Sequence, residues 1–195
     1  SLERATELDP RSLIVANNHA SMLLIAGRDA EAIDACTPAL EYAPDSDLCS
    51  WIIGFAHLIL GDRERARPFF DRGAAAWGGG TDQQVAALFD ALDGRGDRKA
   101  FARSLMAFPQ RSWKEPGSGN LFGDFEAPVL LILLGEPGLA LDYVDRGSRG
   151  NPIDLAWGVL LPSVDPIRCD PRFVAAVDRL KIVDYRAPRM CAKRD

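Results

Sequence analysis

Of the 195 residues, 47% are apolar and 26% charged, the proportions of a soluble fold with enough material for a core. The net charge of -5 comes from 28 acidic and 23 basic residues interspersed along the chain, so no basic stripe exists to track phosphates, and nucleic-acid binding is not expected. The most apolar run, Val129 to Leu134, falls far short of the ~20 residues a membrane helix needs, and nothing in the sequence has the pattern of a signal peptide.

Small residues, Gly and Pro recur every 34 positions, the period of a helical-hairpin repeat. Ser1 to Asp9 reads as the closing half of a repeat whose opening half is absent, which points to a piece of a longer protein. Pro10 and Pro44 close successive units, and Gly78 stands where a third closure is due. The first full hairpin is expected as helices Leu13 to Ala26 and Asp29 to Tyr42, turning at Gly27 and Arg28. The second repeats the plan with Leu48 to Leu60, a turn at Gly61 and Asp62, and Arg63 to Trp77, ended by the glycines 78–80. A looser third runs Asp82 to Leu92, turns at Gly94 to Asp97, and continues Arg98 to Phe108. The linker 109–120, rich in Pro, Gly and Ser, interrupts the register. A fourth hairpin restarts near Leu121, turns at Gly135 to Gly138 and runs Leu139 to Arg146, with Pro152 closing it.

Columns of small residues would let paired helices approach closely: Ala20, Ala32 and Ala39, then Gly54, Ala66 and Gly73, then Ala100 with Ala107, and Ala140 with Gly147. Leu23, Leu40, Phe70, Leu105 and Leu141 are expected to fill the space between hairpins, since one repeat cannot bury its own faces. Pro38 and Pro68 fall inside expected second helices, where each costs roughly 3 kcal/mol in an unkinked interior, and they suggest an irregular array.

On these columns the chain resembles the tetratricopeptide repeat, over about three quarters of its length. It departs from that pattern in having Ala16 and Ser50 where each unit opens with an aromatic residue, and His57 where Tyr is usual. The resemblance implies an all-α, right-handed solenoid of helical hairpins closed by a C-terminal capping helix. Residues 1–108 hold a half repeat and three hairpins, 109–120 the linker, 121–152 a degenerate fourth hairpin and 153–195 the cap region.

In that cap region, Asp170 before Pro171 is a helix start, and the helix after it sets Phe173, Val174, Val177 and Leu180 on one face. The string Asp165-Pro-Ile-Arg-Cys-Asp-Pro-Arg-Phe173, followed by Leu180 and Asp184-Tyr-Arg186, is similar to the end of repeat regions in certain proteobacterial signalling proteins. Those carry an N-terminal winged-helix DNA-binding domain or an adenylate/guanylate cyclase domain. The similarity implies the regulatory end of a two-part protein.

Catalytic signals are weak. His19 and His57 fall at apolar-facing positions of first helices and lack the spacing of a metalloprotease helix, so they read as packed histidines. Gly94-Arg-Gly-Asp-Arg-Lys99 lacks phosphate-loop spacing and reads as a turn, and no carboxylate pair stands out. No metal or cofactor is expected. The cysteines, at 36, 49, 169 and 191, have no close metal-ligand spacing. Cys36 reads as a small packed hydrophobe. Cys169 and Cys191 flank the terminal helix and could be bridged in an oxidising compartment, with free thiols the alternative.

The inner face formed by first helices offers Asn17, Ser21, Trp51, Phe55, Phe89 and Phe125, aromatic and without Lys or Arg. Without cations it suits an amphipathic helix or peptide better than a terminal carboxylate. The expected function is a non-catalytic protein-interaction or sensory module of a larger bacterial signalling protein, cytoplasmic or periplasmic. Its partner would be a protein or peptide, with a homodimer also open. The alternative is a small-molecule pocket, with the linker folded over Trp51, Phe55 and Phe89 and Trp113 as a lid.

Overall fold

The computed structural model describes residues 1–77, 81–107, 122–150 and 153–191; Gly78, the linker 109–120, its Trp113 and Pro152 lie outside them. All regular structure among the described residues is helical. These residues form two compact units, one of residues 1–77 and 81–89, the other of 90–107, 122–150 and 153–191.

The first unit opens with α1 (Leu2–Leu8), which packs on α2 (Leu13–Ile25). Helices α3 (Asp29–Cys36) and α4 (Ala39–Tyr42) replace the single second helix expected over 29–42. The break falls at Thr37 and Pro38, because Pro38 has no N–H to continue the ladder; just before it, Ile33 O accepts from both Thr37 N at 2.9 Å and Thr37 Oγ1 at 2.8 Å. Helices α5 (Asp47–Ile59) and α6 (Arg63–Trp77) form the second hairpin, and here Pro68 sits inside an unbroken helix. The central element is α5, against which α2, α3 and α6 all pack. Its run from Ile52 to Ala56 is buried without interruption, as a helix apolar on every side must be. Gly54 sets the spacing to α6, for a Cβ there would lie 3.1 Å from Phe70 Cδ2 and 3.3 Å from Ala66 O. Helix α7 (Thr81–Leu92) crosses from the first unit to the second after Phe89.

The second unit continues with α8 (Arg98–Ala107), α9 (Ala127–Leu133), α10 (Pro137–Gly147) and α11 (Ile153–Gly158). A 3-10 helix, Pro162–Ile167, packs on α9 and α10, and α12 (Pro171–Leu180) packs on α10. Asp170 caps α12 by accepting from Arg172 N at 2.8 Å, and a short α13 (Ala187–Met190) follows. Helix α12 buries Phe173, Ala176 and Val177 and leaves Val174, expected on that face, exposed.

Among the described residues, the turns at Gly27, Gly61, Gly94 and Gly135 share one backbone motif. In the first, Gly27 N donates to Leu24 O and Arg28 N to Leu23 O, the paired bonds of a Schellman cap. The same pair recurs at Gly61 and Asp62, at Gly94 and Arg95, and at Gly135 and Glu136. Each glycine has φ between 72° and 81°, the left-handed region that penalises a Cβ. Gly61→Ala should therefore lower stability by about 1 kcal/mol, seen as a lower urea midpoint at unchanged slope.

Of the expected columns, Gly54, Gly73 and Ala140 are buried and Gly147 is half-buried, while the Ala107 side chain lies outside the described ones. Ala20, Ala32, Ala39 and Ala66 are buried, but Ala100 is exposed and Ala102 and Leu105 take the core instead. The cause is the turn Gly94 to Asp97, two residues longer than Gly61 to Asp62. Asp62 caps α6 through Arg65 N at 3.0 Å, whereas Asp97 caps α8 through Ala100 N at 2.9 Å. Counted from its cap, Ala100 therefore matches solvent-facing Arg65 and not Ala66.

Candidate functional site

On the first unit, α2 presents Ile14, Asn17 and Ser21 at helical spacing, and α5 presents Leu48 and Trp51. Asn17 Nδ2 donates to Leu48 O at 3.2 Å and ties the two faces together, while Ser21 Oγ donates to Asn17 O at 2.9 Å. Asn17 is thus a bridge between helices. Ile14 is 65% exposed and Leu48 38%, so apolar surface flanks this bridge.

The aromatic residues expected to line a groove are mostly internal. Phe55 is 0% exposed and Phe89 2%, which makes both core residues. Trp51, half-buried, meets Phe70 edge-on with ring centroids 4.6 Å apart, and Phe70 in turn meets Phe89 at 5.8 Å. The Arg67 guanidinium stands 5.1 Å from the Phe89 centroid. Gly73 makes room for the indole, since a Cβ there would lie 3.2 Å from Trp51 Cε3. The stack forms because α5 is enclosed by helices on several sides, whereas the expected inner face required it to be open on one. The small-molecule pocket loses two of its walls for the same reason. Phe125, half-buried, belongs to the second unit. Ile14 and Leu48, which the structure adds to this face, are signalled in the sequence only as apolar residues three positions before Asn17 and Trp51.

His57, intermediate in exposure, stacks on Phe69 with centroids 5.8 Å apart. Burial first, with the charge of Arg65, holds its imidazole below the ordinary value against the pull of Asp62. A depressed imidazole makes the unfolded chain the better proton binder, so stability falls as pH drops below about 6.5. His57→Gln should lose less stability than the parent between about pH 7.5 and pH 5.5 in urea titrations.

A dense polar cluster lies in the second unit. Arg168 is 0% exposed, yet each of its guanidinium nitrogens donates: Nε to Asp165 Oδ1 at 2.7 Å, Nη1 to Asp184 Oδ2 at 2.5 Å, and Nη2 to Leu161 O at 2.8 Å. Its Cζ lies 5.6 Å from the Phe173 ring centroid. Asp165 also accepts two hydrogen bonds from Arg186, while Asp184 Oδ1 accepts from Arg186 N at 2.9 Å and Ala187 N at 3.2 Å. Burial pushes the Asp165 carboxyl up, but the hydrogen bonds and charges of Arg186 and Arg168 outweigh it and leave the group below its ordinary value. The Asp165-to-Arg186 string singled out in the sequence is therefore the set of residues that closes this cap.

Two disulfides are present. Cys169 and Cys191 are joined across α12 and the segment after it, with Cα atoms 5.3 Å apart. Cys36 is bonded to Cys49 and is not a free packed thiol, which corrects the sequence expectation. That bond joins the end of α3 to the first turn of α5, and both residues are fully buried. Elsewhere in the second unit, Tyr143 Oη donates to Asp124 Oδ1 at 2.5 Å, and burial followed by this bond pushes the phenol far above its ordinary value. Among the described residues, no group of three His, Cys, Asp or Glu side chains is placed to hold a metal ion, and no helix is long and apolar enough to cross a membrane. No family model, curated protein or solved structure matches the chain.

Proposed function

We propose that the chain is a non-catalytic protein-interaction or sensory module of a larger bacterial signalling protein, its hairpins stacked as a right-handed solenoid of tetratricopeptide type. The observation that carries this reading is the face shared by α2 and α5, where the Asn17 bond to Leu48 O aligns two first helices and exposes Ile14 and Leu48 beside Trp51. The recurring Schellman turn supports the repeat, since one motif aligns each second helix to its first. A protein or peptide offering an apolar helix face suits a surface without Lys or Arg. The two disulfides favour an oxidising compartment, such as a bacterial periplasm.

Site-specific photocrosslinking tests the face. A benzophenone side chain at Leu48 should trap a partner from a lysate of the source cells, and one at the exposed Arg63 should not. Ile14→Asp in the protein carrying benzophenone at position 48, with helical circular dichroism unchanged, should reduce that capture by about tenfold. Equal trapping at both positions, or full capture by the folded aspartate variant, would sink the reading.

A further inference from the structure

The two disulfides differ in what surrounds them. Cys36 and Cys49 are both 0% exposed, so a reductant reaches them only after the first unit opens. Cys169 is exposed and Cys191 half-buried. The Cys169–Cys191 bond closes a 22-residue separation whose last part, from Lys181 onward, contributes no apolar residue described as buried, although the Asp184 side chain is only 5% exposed. Lys181 ends α12 in the left-handed conformation with φ 54°, and the backbone then runs without regular structure to α13. The described ties of this segment to the rest of the unit are polar: Asp184 on Arg168, and Arg186 on Asp165. Helix α12 itself is anchored separately, through Phe173, Ala176 and Val177 and through the Arg172 and Arg179 bonds to Asp142 and Asp145. A segment fixed by a few polar contacts and one covalent bond opens locally, at a lower free energy than the helix beneath it.

We infer that Cys169–Cys191 is a reducible latch on the C-terminal cap, opened by a dithiol reductant ahead of Cys36–Cys49 and freeing residues 181–191 from Arg168. A thiolate of the reductant attacks the sulfur of Cys169, an exposed residue, the Cys169–Cys191 bond breaks, and Cys191 leaves as a thiolate. The second thiol of the reductant then displaces Cys169 from the mixed disulfide. The reductant is oxidised to its own disulfide, and two electrons and two protons reduce the pair to thiols. With the covalent tie gone, the segment is held by the hydrogen bonds of Asp184 to Arg168 and of Arg186 to Asp165. Its departure takes the Asp184 carboxylate away from the Arg168 guanidinium.

The test uses the oxidised 195-residue chain in a dithiothreitol series, with alkylation of the thiols formed and mass spectrometry of each cysteine. Cys169 and Cys191 should become alkylated at about tenfold less reductant than Cys36 and Cys49. Over the same range, tryptic cleavage after Lys181 and Arg186 should rise about tenfold while helical circular dichroism stays constant. A Cys169→Ser/Cys191→Ser double variant should show that faster cleavage without reductant. Opening of all four cysteines together, reduced Cys169 and Cys191 with parental cleavage, parental cleavage of the double variant, or non-reduced protein carrying free thiols at 169 and 191 would each overturn the latch.

Discussion

Arg168→Met should destabilise the second unit by about 3–5 kcal/mol, the loss expected when one member of a buried ion network is removed and its partners stay behind. The methionine occupies similar space but leaves the Leu161 carbonyl without its guanidinium donor, and deprives Asp165 and Asp184 of their shared cation. Asp184 suffers most, because its side chain is only 5% exposed and water cannot take the place of Arg168. Arg168→Lys should recover little. One ammonium cannot reach two carboxylates and a carbonyl in the fork geometry that the guanidinium fits. A double-mutant cycle with Asp184→Leu measures the coupling: Arg168→Met/Asp184→Leu should be more stable than the sum of the single losses implies. Additive losses would mean that the two side chains do not depend on one another. Acid should act in the same direction. The Asp165 carboxyl is held low in the folded protein, so its contribution is complete above its unfolded value of about 3.9 and is lost as pH falls below that.

Gly158→Ala should cost about 2–3 kcal/mol through overpacking. A Cβ at Gly158 would lie 2.7 Å from Phe125 O, 2.9 Å from Asp124 O and 3.0 Å from Phe125 Cα, all backbone atoms that cannot rotate aside. Gly147→Ala is the control. Its Cβ would also come within 2.7 Å of a neighbour, but that neighbour is the Leu155 Cδ2 methyl, which can turn away. The loss at Gly147 should be about 1 kcal/mol. Denaturant titration of both variants distinguishes the cases, and equal losses would contradict the rigid contact at Gly158.

The hairpins were legible because their signals are local. Gly27, Gly61, Gly94 and Gly135 announce left-handed helix ends, and Ser12, Ser46, Asp62, Asp97 and Asp170 cap the helices that follow. What escaped the sequence depended on how elements stack. Phe55 and Phe89 carry the same pattern whether a first helix faces solvent or a neighbour, and only the enclosure of α5 makes them core. Four cysteines allow three pairings, and nothing local marks Cys36 as the partner of Cys49 until Pro38 breaks the second helix and α3 lies along α5. Ala100 kept the 34-residue period, yet the longer turn before it rotated the column away from the core. The cap string was visible as a pattern, but its reason was not. Arg168 looks like a surface residue in sequence, and only the convergence of Asp165, Asp184 and Leu161 O explains its burial.

The four hairpin turns carry one consequence about chirality. A Cβ at Gly61, Gly94 or Gly135 would meet nothing within 4 Å, so space is not what glycine provides there. The demand is for the mirror-image half of the Ramachandran map, which L-residues enter at a cost and D-residues occupy by default. A D-alanine introduced at Gly61 by chemical ligation meets that demand while restricting the unfolded chain, so the achiral residue at each turn stands in for one of opposite hand that the ribosome does not supply.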